Sequence, residues 1–118
     1  MKTSFGAYIR TRREKLRKAD SKFSVRKVAA LIGVEPSFLS KVERGESPPP
    51  SEGKILRLAE VLGEDPDVLL ALAGKISSDL QDAIRKRPRL FAELIRCLKD
   101  FPDHSVERVV RKVRDGNS

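Results

Sequence analysis

The side chains able to do chemistry in this sequence are nearly all of one kind, cations. Residues 1–50 hold 12 Lys/Arg against 5 Asp/Glu, and the whole chain of 118 residues holds 25 against 17, a formal charge of +8. Residues 51–74 reverse the balance with 2 basic and 5 acidic side chains, and residues 75–118 restore it with 11 and 7. Bond-making chemistry has no visible agents. The single cysteine, Cys97, cannot close an internal disulfide, and with the single His104 it cannot provide the usual four Cys/His ligands of a structural zinc site. A Gly-rich phosphate loop is absent, as is any Ser/His/Asp or Cys/His arrangement, so the sequence reads as no enzyme, with no metal and no cofactor. What remains is recognition of a polyanion, and charge alone fits DNA, RNA or an anionic membrane.

The elements that must position these cations are helices, about eight of them, with no convincing strand. No uncharged apolar run is longer than "VLLALAG" at 68–74, far short of the roughly 18 residues a membrane span requires, which points to a cytoplasmic protein. Ser4 caps a first helix reaching about Lys18, with Phe5, Ile9 and Leu16 facing inward and a basic outer face. The segment "ADSKF" interrupts the period. Ser24 then caps a second helix carrying Val28, Leu31 and Ile32, which stops at Gly33, the residue best able to turn left-handed. Pro36 belongs in the first turn of a third helix carrying Phe38, Leu39 and Val42, which ends at Arg44 before Gly45. Two helices joined at one glycine must cross steeply, a geometry that can push the second into a groove of DNA. Beyond the stiff connector "ESPPPSE" at 46–52, Ser51 caps a fourth helix with Ile55, Leu58, Ala59 and Leu62, terminated by Gly63. Asp65 and Pro66 start a fifth, with Val68, Leu69 and Leu72.

Three stretches carry a resemblance: "FGAYIRTRRE", "VRKVAALIGVEPSFLSKVERG" and "PSEGKILRLAEVLGEDPDVLL". In them Ala29, Gly33, Leu39, Ser40, Glu43 and Gly45 keep their spacing together with the downstream helices, and residues 5–73 resemble the Xre/Cro-type helix-turn-helix repressor family. The resemblance implies an all-α chain with a five-helix, lambda-repressor-like domain that binds double-stranded DNA by sequence, usually as a dimer on a two-fold operator. It implies that Arg13 pairs with Glu43, a buried tie whose alternative is a solvated surface acid. Base-edge contacts map onto Pro36, Ser37, Lys41 and Arg44. Lys41 suits the acceptors of guanine or a phosphate equally, and Pro36 touches a thymine methyl or simply starts the helix. Phosphate contacts map onto Arg10, Ser24, Arg26, Lys27 and Arg44. Val25 stands where many members carry a phosphate-clamping glutamine, and the loop "RKADSK" is longer than the common form. Its Lys18 and Lys22 either add phosphate contacts or are solvated.

Past residue 75 only the pattern speaks. Ile76, Leu80, Ala83 and Ile84 form a stripe from a cap at Ser77 or Ser78. Leu90, Leu94, Cys97 and Phe101 form a second, widened by Phe91, Ile95 and Leu98, and Val106, Val109, Val110 and Val113 form a third. Three short amphipathic C-terminal helices separated by Pro88 and Pro102 are too small to stand alone. They must dock on the first domain as a further core layer, on a second copy, or on both. Two-fold operators favour the second copy, with Leu90, Leu94, Leu98, Phe101, Val106 and Val110 as the dimerisation face. Cys97 reads as plain packing and His104 as a surface residue. The expected organisation is a DNA-binding domain at 1–74 and a dimerisation region at 75–118. The expected function is a cytoplasmic transcription regulator, a repressor acting as a homodimer on a palindromic operator. Alternatives are an antitoxin that grips a protein toxin and represses its own operon, or an adaptor that uses the fold for protein contacts.

Overall fold

In the computed structural model the described residues are 4–116, so residues 1–3 and 117–118 of the two expected domains lie outside them. The described residues form eight α-helices and no strand: α1 (Phe5–Ala19), α2 (Val25–Ile32), α3 (Pro36–Glu43), α4 (Glu52–Leu62), α5 (Pro66–Leu72), α6 (Ser78–Lys86), α7 (Pro88–Leu98) and α8 (Asp103–Arg114). The segment between α1 and α2 closes into a single 3-10 turn, Ser21–Phe23. None of these helices is long and apolar enough to cross a membrane. The chain divides between Ser77 and Ser78 into two compact units.

Local chemistry sets the helix ends. Ser4 and Ser24 accept hydrogen bonds from the Ala7 and Lys27 N–H groups, both at 3.2 Å, and the Asp65 carboxylate accepts from Asp67 N–H at 2.8 Å. Ser51 stands at the N-cap of α4 but makes no such bond, contrary to expectation; Glu52 in that first turn supplies a carboxylate to the helix dipole instead. At Gly33 (φ 78°) the chain turns left-handed, with Gly33 N–H bonded to Ala30 O and Val34 N–H to Ala29 O, so α2 ends within one residue and α3 starts at Pro36 after only Val34 and Glu35.

The core of the first unit draws Phe5 and Ile9 from α1, Val28, Ala29 and Ile32 from α2, Leu39 and Val42 from α3, four residues of α4, and Leu69 and Leu70 from α5. Two apolar residues expected inside are exposed. A step of about 100° per residue carries Leu31 past Ile32 to the rim of α2, and in α5 the inward pair is Leu69 with Leu70, which leaves Val68 outside. The tightest contact is made by a residue with no side chain. A Cβ at Gly6 would overlap the Val42 carbonyl oxygen and stand 2.9 Å from that of Glu43, so α1 crosses the end of α3 backbone to backbone.

In the second unit, α6 to α8 bury nothing to completion. Leu90 is 64% exposed and Val113 77%, while Ile84, Phe91, Leu98, Val106 and Val109 are half-buried.

Candidate nucleic-acid interface

Two turns along α1 from Gly6, on the same face, stands Arg13, and the close crossing delivers its guanidinium to the last residue of α3. Arg13 Nε donates to Glu43 Oε2 at 2.7 Å and Nη2 to Glu43 Oε1 at 2.9 Å, a two-pronged pair with Arg13 3% and Glu43 7% exposed. Nη1 donates to the Phe23 carbonyl at 3.1 Å, and Nη2 also meets Glu14 Oε1 at 3.1 Å. The Glu43 hydrogen bonds raise the Arg13 pKa against the opposing effect of desolvation, so the guanidinium stays charged where it is buried. Among the described residues no buried side-chain N or O atom lacks a hydrogen-bond partner. The pair therefore ties α1, the 3-10 turn and α3 into one frame.

Fixed in that frame, α3 turns Leu39 and Val42 to the core and leaves Ser37, Lys41 and Arg44 exposed at i, i+4 and i+7, one stripe along its outer side. Pro36 is exposed at the first helical position. Arg26 and Lys27 are exposed in the first turn of α2, where peptide N–H groups and the helix dipole also favour an anion. Ser24 is half-buried, its Oγ occupied by the Lys27 N–H on its acceptor side. Arg10 on α1 and Arg44 line a common recess of about 180 Å³ that also contains Ser40 and opens over the Arg13 and Glu43 pair.

Several side chains stand differently from the simple expectation. Arg44 is not a free donor: its Nε and Nη2 lie 2.9 and 2.8 Å from Glu46 Oε2. Lys18 and Lys22 are both exposed, and Lys22 also lies 3.5 Å from Asp20 and 5.5 Å above the Phe23 ring. Val25, in place of a clamping glutamine, packs against the core. Cys97, expected to pack on the apolar stripe of α7, is instead exposed, since the half-buried part of that stripe lies at Phe91 and Leu98. His104 is exposed at the start of α8. No group of three or more His, Cys, Asp or Glu among the described residues is placed to hold a metal ion.

Two cations that sequence reasoning passed over hold the helix-turn-helix pair from behind. Lys54 Nζ donates to the Gly33 carbonyl at 3.2 Å and Arg57 Nε to the Leu31 carbonyl at 3.0 Å, so α4 supplies donors to the carbonyls that α2 leaves unpaired at its C-terminus. Their only sequence signal was a pair of basic residues in an otherwise acidic stretch.

A short helix joined to its predecessor through a left-handed glycine turn, its inner side locked by a buried ion pair and its outer side bearing hydrogen-bond donors, defines a class of nucleic-acid-binding fold. A family model described as a helix-turn-helix domain matches residues 4–72, and the chain belongs to this DNA-binding family. No curated protein and no solved structure matches the chain.

Proposed function

We propose that the chain is a sequence-specific transcription regulator of the Xre/Cro type, a cytoplasmic repressor that binds a palindromic operator as a homodimer. The observation that carries this reading is the exposed stripe Ser37, Lys41 and Arg44 on a helix whose other side is buried. Such a stripe, entering the major groove with Pro36 leading, presents donors to base edges. Arg10, Arg26, Lys27 and the Ser24 end of α2 grip phosphates on either side, setting register without reading sequence. Residues 1–74 act as the DNA-binding domain and 75–118 as the dimerisation region. There Leu90, Leu94, Leu98, Phe101, Val106 and Val110 meet their counterparts in a second copy, which gives the two-fold axis a palindrome requires.

Selection of bound duplexes from random DNA tests the reading. It should return an inverted repeat, whereas a collection without consensus would contradict sequence-specific binding. On the selected site Lys41→Ala should relax preference at one base position per half-site by about 1 to 3 kcal/mol, while Arg26→Ala should weaken all sequences alike. Equal, sequence-independent losses from both would make Lys41 a phosphate contact. The exposed apolar side chains of α7 and α8 also fit the antitoxin alternative, in which they grip a protein toxin. A purified chain that stays monomeric at all concentrations, yet forms a one-to-one complex with the product of a neighbouring gene, would favour that alternative.

A further inference from the structure

The end of α3 is a hydrogen-bonded reversal that fixes where the next acid goes. Gly45 takes φ 75°, its N–H donates to the Val42 carbonyl at 3.0 Å, and the Glu46 N–H donates to the Lys41 carbonyl at 2.8 Å. This is the glycine-capped reversal in which the residue after the glycine bonds back to the last full turn, so the Glu46 backbone is pinned to α3 and is not part of a free loop. From that anchor its Oε2 accepts a hydrogen bond from Arg44 Nε at 2.9 Å and lies 2.8 Å from Nη2 in the same ion pair. Hydrogen bonding to Arg44, then the charges of Arg44 and Lys41, hold the Glu46 carboxyl below the usual carboxylate range, so it is ionised throughout the neutral range. Both partners are about half exposed, and an ion pair of that kind contributes little to folding. Its consequence lies in the direction it imposes on Arg44. A guanidinium is a planar fork, and a carboxylate on its Nε and Nη2 side leaves the Nη1 and Nη2 end free to make two parallel hydrogen bonds. The partner that matches that end in the major groove is guanine, through O6 and N7.

We infer that Glu46 is a specificity-determining positioning residue, which orients Arg44 to read one guanine in each half-site. The inference rests on the DNA-binding reading and deepens it. An unanchored arginine gives up its rotamer freedom when it reads a base, and it can settle on any nearby phosphate; one held by a carboxylate has less freedom to lose and is aimed away from the backbone. Glu46 therefore lowers affinity for DNA in general, by repelling phosphate, while raising discrimination at one base.

The test compares Glu46→Gln, Glu46→Asp, Arg44→Ala and the double change Arg44→Ala with Glu46→Gln. Each full-length variant is titrated with the wild-type selected duplex, with that duplex carrying each single base change, and with a mixed-sequence duplex. Wild type should prefer guanine at the Arg44 position by about tenfold or more. Glu46→Gln should cut that preference at least threefold while binding the mixed-sequence duplex as tightly as wild type or more tightly. Glu46→Asp should keep most of the preference, and Arg44→Ala should abolish it, with no further change from Glu46→Gln in that background. Urea unfolding of Glu46→Gln should match wild type, which separates positioning from folding. A uniform gain on all duplexes would overturn the inference and leave Glu46 a simple competitor for phosphate, and so would a guanine preference that survives Glu46→Gln. Selection of a site by the wild type without any base position sensitive to Arg44→Ala would overturn this inference alone, whereas failure of the wild type to select any site would remove the DNA-binding reading with it.

Discussion

Helix α5 has seven residues and buries Leu69 and Leu70 completely; α8 has twelve, with valines at four positions of helical spacing, and buries none. The two helices typify the units they belong to. Residues 4–77 bring apolar stripes from five helices onto one core and add the buried Arg13 and Glu43 pair, whereas α6 to α8 carry equally regular stripes that no described residue covers fully. Amphipathic pattern makes a helix ready to bury a face, and only neighbours decide whether it does. The first unit closes a core of its own, whereas α6 to α8 fully bury none of their apolar side chains.

Damage to the ion-paired frame should cost the first unit most. Glu43→Ala strands the Arg13 guanidinium in a buried site and should cost about 3 to 5 kcal/mol by urea unfolding. A loss below about 1 kcal/mol would place the pair among ordinary surface charges. Replacing both partners together, Arg13→Met with Glu43→Leu, should recover much of the loss, since the desolvation cost disappears with the charges.

Next in size is the crossing of α1 and α3. Gly6→Ala forces its methyl group into the Val42 carbonyl and should cost about 1 to 3 kcal/mol or more, because neither backbone can move without disturbing the Arg13 pair. The contrast is Gly53→Ala in α4, where a Cβ meets nothing within 4 Å and the change should stabilise by up to about 1 kcal/mol. Equal effects at the two glycines would mean that the close approach carries no weight.

What could be read from the sequence divides along a similar line. Ser24, Gly33 and Gly63 announce helix ends because capping is local chemistry within a few residues, and the spacing from Ala29 to Gly45 reveals the turn that sets α3 against α2. Gly6 carried no local signal, since its reason is a helix more than thirty positions away in sequence. Lys54 and Arg57 looked like solvent charges until α4 placed them on the carbonyls of α2. Leu31 and Val68 fitted their apolar stripes equally well inside or outside, because a stripe wider than one row does not say which edge its neighbours cover. Arg44 could be assigned to the interface from its position, but its pairing with Glu46 depends on the reversal at Gly45.

The smallest expected effect falls on the second unit. Leu94→Ala should change the urea unfolding of the first unit by less than about 0.5 kcal/mol at protein concentrations too low for self-association, since truncating an exposed side chain removes little buried area. If Leu94 lies in the proposed dimer interface, the same change should raise the dimer dissociation constant by about tenfold in sedimentation equilibrium, as loss of an interface anchor does. Unfolding of the first unit that responds to Leu94→Ala as strongly as to a core truncation would show instead that the two units share one core.

A basic first unit that grips DNA must show it in the salt dependence of its affinity for the selected duplex. With about four or five phosphate contacts per half-site, a dimer neutralises roughly eight to ten phosphates, and log affinity should fall against log salt with a slope of about −7 to −9. A slope near zero would mean that Arg10, Arg26, Lys27 and their neighbours hold no polyanion, and would contradict the account.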